Sequence, residues 1–197
     1  MNKNRLWLLI LAVVGALVVV WAIGNFTTLN NLDEDVQASW GNLQAQYQRR
    51  VDLVPNMVAV VKQQAKSENE IFTKIAEARS QVQSANYSGK VTSDQMQKSI
   101  DANNSLTIAM GKMLVLQENY PVLKQDQAFS DLRITLEGSE NRISVARQNY
   151  NEVVNVYNKK IRAPFVNLIA SMAGLDKYPY IQSQSGAENV PTVDFNK

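Results

Sequence analysis

The sequence predicts an all-α protein, in which a single N-terminal transmembrane helix is followed by an elongated antiparallel bundle of three long helices plus a short C-terminal helix. Apolar residues recur every 3.5 to 3.6 positions over most of the chain, which is the period of an α-helix. No stretch alternates between apolar and polar residues as a half-buried strand does. Because apolar stripes on connected helices stay out of water only by packing against one another, we expect a bundle.

The first element is a membrane segment from Leu6 to Ile23, eighteen residues without a polar side chain. At ~1.5 Å per residue it is about 27 Å long, close to the hydrocarbon thickness of a bilayer. Trp7 and Trp21 stand near its ends, where indole rings favour the membrane–water interface. We therefore expect an uncleaved signal anchor over residues 1–28 that contacts membrane lipid through Leu6 to Ile23.

A cleaved signal peptide, cut after Val20-Trp21-Ala22, is the alternative, but the apolar core is longer than the roughly 7–15 residues typical of such peptides. The flanking charges predict the orientation of the segment. Lys3 and Arg5 precede it, whereas an acidic run at residues 33–35 follows it. By the positive-inside rule the N-terminus stays in the cytoplasm and the bundle is translocated. Since this inference rests on two basic residues, the inverted orientation stays open.

Composition excludes several classes of chemistry. The 197 residues contain no His and no Cys, which rules out a Ser-His-Asp triad, a Cys nucleophile, disulfides, a Cys/His zinc site and a histidine-ligated haem. Beyond the anchor, 18 basic residues balance 18 acidic ones, so the domain lacks the positive charge that binds nucleic acid. This composition leaves carboxylate, Lys, Ser/Thr, Tyr or Arg chemistry, or no chemistry at all. We expect no enzymatic activity, no cofactor and no nucleic-acid partner.

A continuous apolar stripe predicts the first long helix, from residue 29 to about residue 84. Pro55 lies within the stripe and removes one backbone donor, so we expect a kink there. A break at Ser67 is the alternative, because Ser67-x-x-Glu70 has the pattern of a capping box.

A second helix follows a turn-rich stretch at residues 84–93. Thr92-x-x-Gln95 is a further capping-box pattern and marks its start. Pro121 ends it after about Tyr120, because the residue before a proline is pushed out of the helical conformation.

The last long helix is predicted from about Gln125 to Arg162, with apolar residues every 3.5 positions, the period of a coiled-coil seam. A short amphipathic helix from Phe165 to Ala173 follows and completes the bundle domain, residues 29–175. A polar, flexible tail, residues 176–197, offers little to bury and is expected to be loosely held.

Three separated motifs stand out in the bundle domain. The first combines a Trp, a double Arg and an Asp-Leu-aliphatic-Pro-Asn stretch; the second is Glu-x-Tyr-Pro-x-Leu-Lys; the third is a final helix with two Tyr-Asn pairs. Their positions are Trp40, Arg49, Arg50, 52–57, 118–121, 123–124, Phe129, 136–143, 146–147, 150–151, 157–158, 164–174, Tyr178 and Tyr180. Together they resemble the LemA family over about residues 29–180. Val51 departs from its pattern, as does Gly174-Leu175, where the family more often has Gly-Phe.

The resemblance implies a membrane-anchored helical-bundle protein of the bacterial cell envelope, without an assigned enzymatic activity. Together with the orientation that the flanking charges predict, we expect an anchor in the inner, cytoplasmic membrane with the bundle on the periplasmic or extracytoplasmic side. We expect a scaffold or interaction protein that acts through self-association or an envelope protein partner. Because some members of the family are linked to membrane-bound zinc metalloproteases of the heat-shock class, an adaptor or regulator of such a protease is the alternative.

Charged residues on the two longest predicted helices form the first candidate site. These residues are Arg49, Arg50, Asp52, Arg142 and Arg147. The arginines either clamp carboxylates such as Asp52, Glu118, Glu137 or Glu140 across the bundle, or bind an anionic ligand. Ordinary ion pairs between helices are the favoured interpretation. For Asp52, rebuilding the hydrogen bonds around Pro55 is a further alternative.

The Tyr-Asn pairs form the second candidate site. Tyr150-Asn151 and Tyr157-Asn158 recur seven residues apart, hence on one helical face. The favoured interpretation buries the tyrosines at the seam and points the asparagines outward. The alternative is a face that a partner protein binds.

Two further interpretations concern metal and assembly. Glu118, Glu137 and Glu140 give little support to a metal site, because di-metal sites in helical bundles pair Glu with a His. An all-oxygen Ca²⁺ or Mg²⁺ site has no supporting loop spacing. The seam-like last helix and the small pair Gly15-Ala16 favour a homo-oligomer.

Overall fold

The computed structural model describes residues 3–182, and within that range all regular structure is helical, as predicted. The helices are α1 (Lys3–Gln64), α2 (Asn69–Ser84), α3 (Ser93–Asn119), α4 (Pro121–Gln125), α5 (Gln127–Ile161) and α6 (Val166–Met172). Among the described residues, α1 alone is long enough and apolar enough to cross a membrane.

Helix α1 runs without interruption from the apolar segment into the folded domain. Side chains of the apolar segment are mostly exposed, with Leu11 at 70%. From Leu29 onward one side of the same helix is buried or half-buried, as its apolar stripe predicts. Pro55 lies inside α1 and does not end it.

A break at residues 65–68 separates α1 from α2, so the alternative with two helices is correct and a single helix to residue 84 is wrong. The expected capping box does not form: Glu68 occupies the N-cap position, and its side chain makes no capping hydrogen bond. Instead, the Tyr120 hydroxyl donates to Glu68 Oε1 (2.9 Å) and lies 3.1 Å from Ser67 Oγ. A tertiary contact therefore supports this turn, which a local capping pattern does not reveal.

Local signals decide the other helix ends. Thr92 Oγ1 accepts from the Gln95 backbone N–H (3.3 Å) and the Thr92 N–H donates to Gln95 Oε1 (3.0 Å), which confirms the second capping box. Helix α3 ends at Asn119, and Pro121 begins α4. Asp126 caps α5 by accepting from two backbone N–H groups of its first turn.

Two apolar clusters form the core. The proximal core, nearer the apolar segment along α1, contains Leu29, Val36, Trp40, Leu43, Tyr47, Val91, Met96, Ile100, Ile143, Tyr150, Val154, Tyr157, Ile161, Val166, Ala170, Tyr178 and Ile181. The distal core contains Val51, Val54, Met57, Val61, Ala65, Phe72, Ile75, Ala78, Val82, Ala85, Ala102, Leu106, Ala109, Met110, Met113, Leu116, Leu123, Phe129 and Leu136. Along α1 the two cores meet between Tyr47 and Val51, and along α5 they meet between Leu136 and Ile143.

Residues 176–182, hereafter the C-terminal segment, differ from the prediction of a loosely held tail. Tyr178 and Ile181 are only 7% and 5% exposed, and both belong to the proximal core. The segment follows α5 because asparagine and tyrosine side chains of that helix hydrogen-bond its backbone. The remainder of the predicted tail, residues 183–197, lies outside the described residues.

Candidate functional site

The first candidate site surrounds Arg50, whose side chain is fully buried. Its Nη1 donates to Glu140 Oε1 on α5 (2.8 Å) and to Thr107 Oγ1 on α3 (2.5 Å). Its Nη2 donates to the backbone oxygen and to Oδ1 of Asn103, at 3.0 and 3.1 Å. Arg50, Asn103, Thr107 and Glu140, the Arg50 cluster, therefore join three helices at the level where the two cores meet.

The burial of Arg50 determines what this cluster can do. Both terminal nitrogens are engaged by protein oxygens, and no part of the side chain is open to solvent. Its Nε is also buried and has no hydrogen-bond partner. An anion arriving from solvent cannot reach this guanidinium. The Arg50 cluster therefore has the geometry of hydrogen bonds that hold three helices together, and not that of a ligand site.

Arg147 adds polar contacts on the side of the Arg50 cluster that faces the proximal core. Its Nε donates to the Tyr47 hydroxyl and its Nη2 to Asn104 Oδ1, both at 3.3 Å. The guanidinium carbons of Arg50 and Arg147 lie 5.5 and 5.7 Å from the centre of the Tyr47 ring, within cation–π range. Burial raises the pKa of Tyr47, an effect that the nearby Arg147 partly offsets. The tyrosine therefore stays neutral between the two cations.

The other charged residues predicted for this site lie apart from it. Arg49 and Arg142 are exposed. Asp52 is also exposed and accepts from Gln48 Nε2 one turn earlier (2.8 Å). Glu118 pairs with Lys124 (3.0 Å) and Glu137 with Arg133 (3.5 Å), both on the surface. Of the four carboxylates considered, the structure brings only Glu140 to a buried arginine.

Trp40 and Tyr150 occupy the proximal core, with their rings packed edge to face at 5.5 Å between centroids. The indole Nε1 of Trp40 is buried and has no hydrogen-bond partner. Among the described side chains, no group of three or more acidic residues is placed to hold a metal ion.

The second candidate site is formed by the two asparagines of α5 and the C-terminal segment. Asn158 donates from Nδ2 to the Tyr178 carbonyl (2.9 Å) and accepts at Oδ1 from the Tyr178 N–H (3.1 Å). Asn151 makes the same pair of bonds with Ile181, at 2.8 and 2.9 Å. Each side-chain amide thus satisfies both backbone groups of one residue, as a neighbouring strand would. The interpretation with outward-pointing asparagines is wrong for both.

Tyrosine hydroxyls complete this attachment. Tyr150 donates to the Pro179 carbonyl (3.1 Å) and Tyr157 to the Asp176 carbonyl (3.0 Å). The predicted seven-residue repeat is therefore real, but its polar ends hold the protein's own chain. Burial raises the pKa values of Tyr150 and Tyr157 well above the ordinary value. Both side chains are neutral donors at physiological pH.

The attachment extends to α1 through Tyr178. Its hydroxyl donates to Asp33 Oδ1 (2.6 Å) and accepts from Gln37 Nε2 (2.8 Å). Asp33 also pairs with Lys90 (2.6 Å), and Gln37 bonds the backbone of Val91. Burial raises the pKa of Tyr178, and the hydrogen bond to Asp33 raises it further.

Sequence reasoning missed several residues of these two sites. They are Asp33, Gln37, Asn103 and Thr107, together with the role of Asn158 in binding the Tyr178 backbone and that of Tyr178 in connecting the C-terminal segment to α1. The sequence does contain one signal for the second site. The Tyr-Asn pairs repeat on one face of α5, and the aromatic stretch Tyr178-Pro179-Tyr180 follows closely enough in the chain to fold back onto that face. No signal in the sequence pointed to Asn103 or Thr107, whose role depends on which face α3 turns to α1.

Magnetosome proteins are among the relatives that comparison with known proteins finds. Magnetosome proteins MamQ 1 and MamQ 2 of Paramagnetospirillum magneticum are each 24% identical to the chain over 181 residues, a match that covers 83% of this chain and 66% of each relative. MamQ of Magnetospirillum gryphiswaldense is 22% identical over 173 residues, which covers 79% of this chain and 64% of the relative. The chain thus spans about two thirds of the length of these relatives.

The sequence profile of the LemA family matches residues 39–195. This range covers most of the chain. It contains both candidate sites except Asp33 and Gln37 of α1, which precede it. The resemblance carried by the three motifs is therefore confirmed, and the chain belongs to the LemA family.

Proposed function

We propose that this chain is a single-pass, non-enzymatic membrane scaffold of the cell envelope, and that it acts through self-association or envelope protein partners. In this proposal the anchor lies in the inner, cytoplasmic membrane, and an elongated antiparallel bundle stands on its periplasmic side. Membership of the LemA family supports a non-catalytic role. The MamQ relatives support it as well, since their name refers to a magnetosome and not to a reaction.

The observation that carries the proposal is the continuity of α1. Its exposed apolar segment is a surface that a bilayer covers, whereas a soluble domain rarely exposes so large an apolar area. The same helix then supplies one side of both cores without an intervening loop. From Gly24 to Gln64 it reaches about 60 Å at ~1.5 Å per residue. The bundle therefore cannot swing about its anchor unless a packed helix bends.

The chemistry of the two sites supports a role without catalysis. Arg50, the most buried charged group among the side chains that the structure describes, is engaged inside the protein. Asn151 and Asn158 use both ends of their amides on the C-terminal segment. These groups hold helices and backbone in place.

A row of apolar residues on the outer face of α5 supports self-association. Ile134, Val145 and Val156 are 59%, 51% and 53% exposed. They follow one another at intervals of eleven residues, about three helical turns, so they lie along one line of the helix. The seam with the 3.5-residue period is buried inside the chain, so the contact between copies in this proposal uses the outer row instead.

The mass of the full-length protein in nanodiscs tests the proposal. We expect a discrete oligomer for the natural chain and a monomer for the double variant Val145→Asp, Val156→Asp, because a charge in a desolvated contact is costly. The matched control is Ser144→Asp, Asn155→Asp, which changes exposed neighbours on the same helix and keeps the oligomer. A natural chain that stays monomeric, with no neighbour crosslinked to it in cells, contradicts the scaffold.

A further inference from the structure

Helix α6 has two faces, of which only one is covered by the protein. Val166 and Ala170 are buried in the proximal core. On the opposite face, Phe165, Leu168 and Met172 are 75%, 64% and 82% exposed. Leu168 and Met172 are four residues apart and share one side of the helix, and Phe165 is the N-cap residue that precedes it. Three large apolar side chains are thus presented together to the surroundings.

The position of α6 along α1 indicates what those surroundings are. A groove lies between α6 and α1, lined by Ala22, Ile23 and Phe26 on one side and by Ile169, Met172 and Leu175 on the other. Ala22 and Ile23 are the last residues of the apolar segment, next to Trp21, an aromatic residue of the type found at membrane–water interfaces. Met172, at the C-terminal end of the exposed face of α6, therefore lies beside the end of the apolar segment.

Charge and backbone conformation at α6 agree with this position. Between residues 159 and 177 the chain carries four basic residues, Lys159, Lys160, Arg162 and Lys177, and one acidic residue, Asp176. An excess of basic residues next to an apolar face in the sequence is typical of helices that lie in the interface of an anionic membrane. Phe165 has φ +65°, a conformation that a residue with a side chain rarely adopts, and yet its ring has little protein contact in return.

We propose that α6 is an interfacial helix that inserts Phe165, Leu168 and Met172 into the headgroup–acyl boundary of the bilayer, beside the exit of α1. The proposal rests on the membrane anchor proposed above. Two contacts with the membrane, one spanning and one interfacial, fix the rotation of the bundle about the α1 axis, which a single helix leaves free.

Depth measurement on the full-length chain tests this. Because the protein has no cysteine, Leu168→Cys provides a unique site for an environment-sensitive fluorophore. The protein is reconstituted in phosphatidylcholine–phosphatidylglycerol vesicles, with and without lipids brominated at shallow or deep positions on the acyl chain. We expect a blue-shifted label that shallow bromines quench several-fold more strongly than they quench a label at Ser144→Cys, an exposed position in the middle of α5.

A label at Val14→Cys, in the middle of the apolar segment, separates this proposal from the anchor. Deep bromines quench it if α1 spans the membrane, and their failure to do so overturns the anchor and the interfacial helix together. Quenching at Val14 with a water-exposed label at Leu168 overturns only the interfacial helix. Leu168→Cys chains that are shielded from water and from bromines, but form disulfide-linked dimers, overturn it in favour of a second copy. Circular dichroism checks that each variant stays folded.

Discussion

At the scale of single residues, Arg50 presents the clearest energetic problem. A fully buried cation loses its hydration, and Glu140, 38% exposed, is only partly removed from water. The guanidinium compensates by donating to two helices at once, which a compact lysine ammonium cannot do with the same geometry. A buried polar tie of this kind selects one register of the helices, because any shift leaves the charge without partners.

Replacing Arg50 tests this role. Arg50→Met leaves Glu140 unpaired and removes the hydrogen bonds that the backbone oxygen and Oδ1 of Asn103 accept from the guanidinium, so we expect the free energy of unfolding to fall by about 2–3 kcal/mol. Denaturant unfolding of the full chain in detergent measures it. Arg49→Met, the exposed neighbour, should change the value by no more than about 0.5 kcal/mol. Equal effects of the two variants would contradict a specific role for the buried guanidinium.

The buried tyrosines predict sensitivity to alkaline pH. Their folded-state pKa values are raised above the unfolded value of about 10, so the stability they contribute is complete below pH 10 and is lost as the pH rises through the folded values. We expect the melting temperature to fall above about pH 10. The double variant Tyr157→Phe, Tyr178→Phe lacks two of the titrating hydroxyls. We expect its melting temperature to be lower than that of the natural chain at pH 8, but to fall less steeply as the pH rises above about 10. A decline as steep as that of the natural chain would contradict this origin.

At the scale of elements, prediction from sequence succeeds where the signal is local. The Thr92 capping box and Pro121 set the ends of α3 and α4 within the chain itself, and the apolar stripes identify which faces of α1 and α5 are buried. The sequence leaves a break near Ser67 as an alternative to one long helix, and the hydroxyl that hydrogen-bonds the turn there comes from Tyr120, more than fifty residues away. The C-terminal segment depends on asparagines of α5. Such contacts require the packed arrangement of helices, which periodicity does not specify.

The hydrogen bonds from Asn151 and Asn158 to the backbone of the C-terminal segment predict which substitutions detach this segment from α5. Asn158→Ala removes both side-chain bonds to Tyr178, whose buried N–H and carbonyl lose their partners, so we expect a loss of about 1–3 kcal/mol. Hydrogen exchange at the Tyr178 and Ile181 amides should become faster, and trypsin should cut after Lys177. Asn155→Ala, an exposed asparagine on the same helix, is the control. Unchanged exchange at Tyr178 would show that packing alone holds the segment.

At the scale of the whole molecule, one helix links the membrane segment to a two-part core. The proximal core joins α1, α5, α6 and the C-terminal segment near the membrane segment, while the distal core adds α2 and most of α3 farther out. The Arg50 cluster lies between them. Tilt or rotation of α1 is therefore transmitted to the whole bundle, and the orientation of the anchor decides in which compartment the entire domain lies.

The orientation of the chain in the membrane can be measured by labelling single cysteines, because the sequence contains no cysteine of its own. Lys3 and Arg5 precede the apolar segment, so the positive-inside rule retains the N-terminus in the cytoplasm and exports the bundle. Ser88 lies exposed in the turn between α2 and α3. The reagent is a maleimide that cannot cross the cytoplasmic membrane, applied to cells in which only the outer membrane has been permeabilised. It should label Ser88→Cys directly and Asn2→Cys only after the cells are lysed. The reverse pattern would establish the inverted orientation and would require cytoplasmic partners for the bundle in place of envelope ones.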